Sequence, residues 1–158
     1  MLEKLIELKY KLDCAKYPSM NPDYVPKTKY TDKTANGLTK CVVDWLNLNG
    51  FRADRVSSAG RYIDGKKTVT DVLGKQRSIG SGTWVKSGTR KGYSDVNATI
   101  KGRSVMIEIK IGKDRMSNDQ KDFAEAERKA GGEYWIVKDF GEFMFHYDCF
   151  IDYLNNLK

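Results

Sequence analysis

The sequence predicts an α/β fold, a mixed β-sheet core flanked by helices. Three observations carry this expectation. First, "VNATI" and "RSVMIEI" alternate apolar and polar residues on either side of "KG" and read as a hairpin. Second, a helical stretch and then the strand-like "EYWIVKD" follow, and strand, helix, strand at this spacing implies a crossover unit and therefore a mixed sheet. Third, 158 residues are enough for one compact domain with a proper core and too few for two ordinary ones.

Along the chain, Leu2, Leu5, Ile6, Leu8 and Leu12 mark a first amphipathic helix. The prolines of "YPSMNPDYVP" forbid its continuation, so residues 1–32 read as an N-terminal helix and a Pro/Tyr-rich arm. The helix could serve as a dimer contact or pack on its own domain. Residues 33–158 form the main domain. It starts with a helix from about Thr34 to Asn49, with Leu38, Cys41, Val42, Trp45 and Leu46 on one face and Gly50 as a stop signal. Strand-like "FRADRVSS", a basic glycine-punctuated insertion and the hairpin come next. After them "SNDQKDFAEAERKAGG" reads as a helix, "EYWIVKD" as a buried strand, "EFMFHY" as a further strand and "DCFIDYLNNLK" as a closing helix. No internal repeat or low-complexity segment interrupts this order.

Composition excludes several classes of function. The chain is 40% hydrophobic and 31% charged, with no apolar run long enough to span a bilayer. Its N-terminus alternates oil and charge and lacks the uninterrupted apolar centre of a secretory signal, so the chain reads as cytoplasmic or nucleoid-associated. Cys14, Cys41 and Cys149 are odd in number, far apart and without C-x-x-C spacing, which argues against a disulfide framework and against a zinc knuckle. The lone His146, among aromatics in "FMFHYD", reads as structural, and chemistry built on paired histidines is excluded.

The formal net charge is +7 and the pI about 9.2, which points to a polyanionic partner. The surplus is unevenly placed. Arg61, Lys66, Lys67, Lys75, Arg77, Lys86, Arg90 and Lys91 cluster against only Asp64 and Asp71. One reading is a solvated basic loop. The other is a hairpin insertion, punctuated by glycines and carrying Trp84, whose eight cations bind nucleic-acid phosphates while the aromatic packs or stacks.

Strand alternation then isolates a polar cluster. Val105, Ile107, Ile109 and Ile111 point one way and Met106, Glu108 and Lys110 the other, while Asp95, Asn97 and Thr99 oppose the oily Val96, Ala98 and Ile100. If Lys101 and Gly102 form a two-residue turn, Ile100 faces Arg103 and Asp95 comes to lie across from Glu108. Carboxylates so placed have Cβ atoms roughly 5 Å apart. Their repulsion is on the order of 3 kcal/mol at an effective dielectric of about 20. Lys110 can offset it as an ordinary ion-pair partner. A divalent cation held by Asp95, Glu108 and the Ile109 carbonyl is the sharper alternative, because hard cations choose carboxylate and carbonyl oxygens. A basic chain and an adjacent lysine suit phosphate chemistry.

"SD" in one strand followed by "EIK" in the next resembles the PD-(D/E)XK nuclease superfamily, with Ser94 where proline often stands. The fuller pattern, "GYSD" and then "IEIKIGKDRMSNDQKDFAEAERKAGGEYWIV", resembles its VRR-NUC branch, in which a glutamate-x-lysine strand leads to a serine-x-x-glutamine helix and a glycine before the next strand. The likeness covers about Thr83 to Val137 and reaches more faintly back to the Thr34 helix. It implies a restriction-endonuclease-like fold with an extra N-terminal helix and a basic hairpin insertion.

The resemblance also implies roles. Asp95 and Glu108 would hold Mg²⁺ or Mn²⁺, Lys110 would position the attacking water and stabilise charge growing on the phosphorus oxygens, and Gln120 would lie close to the metal centre. Ser117 with Gln120 also reads as a capping box, and the two readings of Gln120 are compatible. Where relatives often carry an acid near the start of the preceding helix, Asn36 stands here, which weakens the case for a second metal; Asp44 is a poor substitute because it borders the apolar face. The implied activity is metal-dependent hydrolysis of DNA leaving a 5′ phosphate and a 3′ hydroxyl. Family members of this size are associated with branched DNA such as four-way junctions, and several act as homodimers. A general nicking or end-processing nuclease, a non-catalytic DNA-binding module and a protein-interaction domain are the alternatives.

Overall fold

The computed structural model describes residues 1–57 and 60–157. In chain order the elements are α1 (Leu2–Lys16), α2 (Ala35–Leu48), β1 (Arg52–Arg55), β2 (Arg61–Ile63), β3 (Lys67–Thr70), β4 (Gln76–Ile79) and β5 (Thr83–Val85). There follow β6 (Val96–Ile100), β7 (Arg103–Ile109), α3 (Asn118–Lys129), β8 (Glu133–Val137) and α4 (Phe140–Asn156). They divide into two compact units, Met1–Val56 with Gly92–Lys158, and Ser57–Lys91.

The first unit is a mixed α/β domain. Its sheet has the order β1-β6-β7-β8, antiparallel except for the parallel β7–β8 pair. Helix α3 makes that crossover, as the strand, helix, strand spacing predicted. Central β7 is buried on both faces, which explains its near-continuous apolar run. One face carries Ala53, Val96, Ala98, Ile100, Val105, Ile107, Ile109, Trp135 and Val137 into a core shared with α1, α2 and α4. The opposite face presents Met106 and Tyr134 to Phe123 and Ala124 of α3.

The helices follow their sequence signals. In α2 the side chain of Thr34 caps the first turn by accepting from Gly37 N at 3.1 Å, and the expected face of Leu38, Cys41, Val42, Trp45 and Leu46 is buried. Burial pushes the Cys41 thiol up to about 11, and all three cysteines are free. Helix α1 buries Leu5 completely in the same core, whereas Leu12, expected on that face, is exposed. Residues 1–32 thus belong to the first unit.

A second expectation fails. "EFMFHY" is not a strand but the first half of α4, one helix running through to the "DCFIDYLNN" stretch. Asp139 starts it by accepting from Glu142 N at 2.8 Å, and Phe140, Phe143, Met144, Phe150 and Leu154 recur at helical spacing on the buried face. A strand would bury Phe143 and Phe145 together, yet Phe145 is exposed. His146 stacks on Trp135 with ring centroids 5.7 Å apart, a packing role.

The second unit is a two-stranded antiparallel ribbon. Arg61, Tyr62 and Ile63 pair with Val85, Trp84 and Thr83, and Lys67 through Thr70 pair with Ile79 through Gln76. Both segments share one offset, so they are a single hairpin interrupted at residues 64–66 and 80–82.

Leu5→Ala should cost about 2–5 kcal/mol, as a leucine truncated in a closed core does. A lowered urea midpoint with an unchanged slope reads this loss, and an unmoved midpoint would mean that α1 does not dock.

Candidate functional site

The site of interest grows from the β6–β7 turn. Lys101 (φ 47°) and Gly102 (φ 81°) both sit in the left-handed region, the requirement of a tight two-residue hairpin turn whose twist matches its strands. Ile100 therefore opposes Arg103, and the ladder runs back to Val96 opposite Ile107. Its next step sets Asp95, immediately before β6, across from Glu108. A slip of one residue would send every polar side chain of β7 into the core on the opposite face.

A second constraint places Asp95. Gly92 (φ 76°) lies so close to the first turn of α3 that a Cβ there would fall 2.1 Å from the Asp119 carbonyl oxygen. The chain then lays Tyr93 on Phe123, ring centroids 4.8 Å apart, and buries Ser94, whose hydroxyl donates to the Val96 carbonyl at 3.0 Å. Asp95 enters the sheet next, and its Oδ2 accepts from the Ile109 amide at 3.0 Å.

Glu108, 2% exposed, sits on the α3 face among donors. Its Oε1 accepts from Gln120 Nε2 at 2.5 Å and pairs with Lys110 Nζ at 3.0 Å, while Oε2 accepts from Tyr134 Oη at 3.4 Å. Burial and then the charge of Asp95 raise its pKa above the ordinary carboxylate value, against the pull of Lys110. Burial and the Glu108 charge also push the Tyr134 phenol up, keeping it a donor.

Lys110 is 6% exposed and bridges two acids, Glu108 and Asp114, the latter at 3.2 Å. Burial pulls its pKa down, but the two carboxylates outweigh that and the net shift is upward, so the ammonium stays charged. Gln120 closes the expected capping box and also contacts Glu108. Its Oε1 accepts from Ser117 N at 2.9 Å to close the capping box, and its Nε2 reaches Glu108. One side-chain amide thus fixes the start of α3 and orients a strand carboxylate.

Asp95, Glu108, Ile109, Lys110 and Gln120 are brought together; Asn36 and Asp44 are engaged elsewhere. Asn36 Oδ1 accepts from Arg55 Nη2 at 2.5 Å, and Asp44 Oδ2 accepts from Tyr30 Oη at 2.7 Å and pairs with Lys40 at 2.5 Å. Among the described residues, no group of three or more His, Cys, Asp or Glu side chains gathers to hold a metal. An ion here would draw on two carboxylates and the Ile109 carbonyl and complete its shell from water and substrate. That suits Mg²⁺, which uses one or two carboxylates and keeps several waters. Two acids set across neighbouring strands, one of them buried and its pKa raised in part by the other, are a donor set that a cation relieves.

A cleft of about 640 Å³ opens on Lys110. Lys113, Arg115 and Lys138 line it with Lys110, against Asp114 and Glu142. Sequence reasoning passed over these three cations. The "GKDR" that follows the glutamate-x-lysine strand was the available signal for two of them, whereas Lys138 arrives only through the parallel pairing of Ile109 with Val137. The eight cations predicted to bind nucleic acid, Arg61, Lys66, Lys67, Lys75, Arg77, Lys86, Arg90 and Lys91, all belong to the second unit, where they are exposed.

No family model, no curated protein and no solved structure matches the chain.

Asp95→Asn should lower the Glu108 pKa, because it removes the neighbouring charge and leaves burial unchanged. In the parent protein, the Glu108 contribution to stability is fully present below the unfolded-state carboxylate value and is lost as pH rises through the elevated folded value. That loss should shrink in the variant. Carboxyl NMR titration alongside thermal unfolding from pH 4 upward reads both, and an unmoved Glu108 titration would separate the two acids electrostatically.

Proposed function

We propose that the chain is a divalent-metal-dependent DNA nuclease with a restriction-endonuclease-like core, as its resemblance to the VRR-NUC branch implies. One observation carries this reading: Asp95 and Glu108, from adjacent antiparallel segments, face each other with the Lys110 ammonium bound to Glu108. A structural salt bridge needs one acid, and here two acids oppose each other at a desolvation cost.

Asp95, Glu108 and the Ile109 carbonyl would hold Mg²⁺ or Mn²⁺, which when bound supplies charge neutralisation at the phosphodiester and acidity for an attacking water. Gln120 and Tyr134 hold the Glu108 carboxylate in one orientation, so its geometry exists before substrate arrives. Lys110, kept cationic by Glu108 and Asp114, offers fixed positive charge to the oxygens that gain charge as the scissile bond breaks. Lys113, Arg115 and Lys138 give the cleft the sign of charge that flanking phosphates require. The products are a 5′ phosphate and a 3′ hydroxyl. Branched DNA, four-way junctions included, is the proposed substrate, with a homodimer supplying the paired sites that symmetric cleavage demands.

A second reading is a non-catalytic DNA-binding module in which the cluster is inert. It is favoured by the three donors, from Gln120, Lys110 and Tyr134, that already occupy Glu108.

With Mg²⁺ or Mn²⁺ and labelled linear duplex, single strand, flap and four-way junction, the parent protein should cut. Glu108→Ala and Asp95→Ala should each lose at least about a hundredfold in rate, equivalent to the several kcal/mol that metal-assisted charge stabilisation provides. DNA affinity should change far less. Equal cutting by either variant sinks the assignment, and absence of cutting by the parent with DNA affinity intact supports the binding module.

A further inference from the structure

The ribbon of the second unit ends in a tip built to expose oil. Val72 and Leu73 are 103% and 88% exposed, the two most exposed large apolar side chains among the described residues. The loop beneath them is well organised. Asp71 Oδ1 accepts from Leu73 N at 3.0 Å and Lys75 N at 2.9 Å, Asp71 N donates to the Lys75 carbonyl, and Arg77 Nε pairs with Asp71 Oδ2 at 3.2 Å. The acid nearest the tip is thus consumed internally, and its turn thrusts two aliphatic side chains outward.

We propose that this ribbon is a duplex-inserting arm: Val72 and Leu73 wedge between base pairs from the minor groove while the cations of its strands lie along the phosphates. The inference rests on the reading of DNA as partner and deepens it. Charge complementarity selects the occupant. Lys75 in the tip turn, Arg77 on β4, Lys67 on β3, Lys66 in the interruption before it, and Arg61 and Lys86 toward the base put positive charge along the length of the arm. Phosphate rails run lengthwise, as these cations do from the base of the ribbon to its tip. A duplex offers both rails of negative charge and apolar faces between which a leucine can enter, and apolar wedges of this kind unstack a base step and kink the helix. Reach is sufficient. The last strand segment alone, Lys67–Thr70, extends about 10 Å at about 3.3 Å per residue, against groove depths of about 7.5–8.5 Å.

The experiment uses the full chain in EDTA, so that binding is read without cutting, on duplex and four-way-junction DNA carrying 2-aminopurine and a donor–acceptor dye pair at the ends. The parent protein should raise 2-aminopurine fluorescence by unstacking and shorten the end-to-end distance. Val72→Ser/Leu73→Ser, which leaves the Asp71 turn untouched, should lose both signals and bind about tenfold more weakly with an unchanged salt slope. Lys66→Gln/Lys67→Gln should keep the fluorescence rise at saturation and flatten the slope of log affinity against log salt by about 2. Saturation without a fluorescence change, an identical rise from the serine pair, or tip-dependent binding to phosphatidylserine vesicles in place of DNA overturns the wedge. Cleavage with metal is measured in parallel: cutting without unstacking removes the wedge alone, and unstacking without cutting removes the nuclease reading alone.

Discussion

A carboxylate buried on a central strand beside a second carboxylate is a cost, and the surroundings of Glu108 are arranged to carry it. Burial and the Asp95 charge both favour the protonated acid. Lys110, Gln120 and Tyr134 each donate to the charged form. These donors come from three places, Lys110 directly after β7, the first turn of α3 and the parallel neighbour β8, so the cluster is assembled only when the crossover is complete. A local unfolding that released α3 would leave Glu108 without Gln120 and the helix without its cap at the same moment.

Much of this was readable from residue order because hairpin arithmetic is discrete. With a two-residue turn, side chains alternate without slack, and the register of Ile100 with Arg103 is enough to bring Asp95 to Glu108. The expectation held although Lys101 is an unfavourable occupant of left-handed backbone; Gly102 beside it and the buried faces of both strands outweigh its strain. The α2 face and the capping box were likewise local patterns of spacing.

What residue order concealed was of two kinds. "EFMFHY" has strand composition, and only the Asp139 cap together with apolar positions beyond His146 reveals that it continues as helix; tertiary burial of Phe143 and Met144 decided the matter over local β propensity. Lys138 and Tyr134 could not be placed because parallel pairing joins strands distant in sequence, and nothing local states that Val137 will lie beside Ile109. Gln120 can cap α3 and hold Glu108 at once, since an amide has an oxygen for the one contact and a nitrogen for the other.

The attachment of the ribbon has a consequence for how such a chain can change. Strands β1 and β6 pair directly, and Val56 N donates to the Asp95 carbonyl at 2.8 Å, so the residues from which the ribbon departs and to which it returns are already stitched together by the sheet. The 57–91 excursion between those stems can lengthen, shorten or be exchanged without altering the register that seats the acids, so long as Gly92, Tyr93 and Ser94 keep their places. The excursion is in effect a replaceable cassette, and evolution or an engineer could retool what the protein grips while leaving its interior untouched.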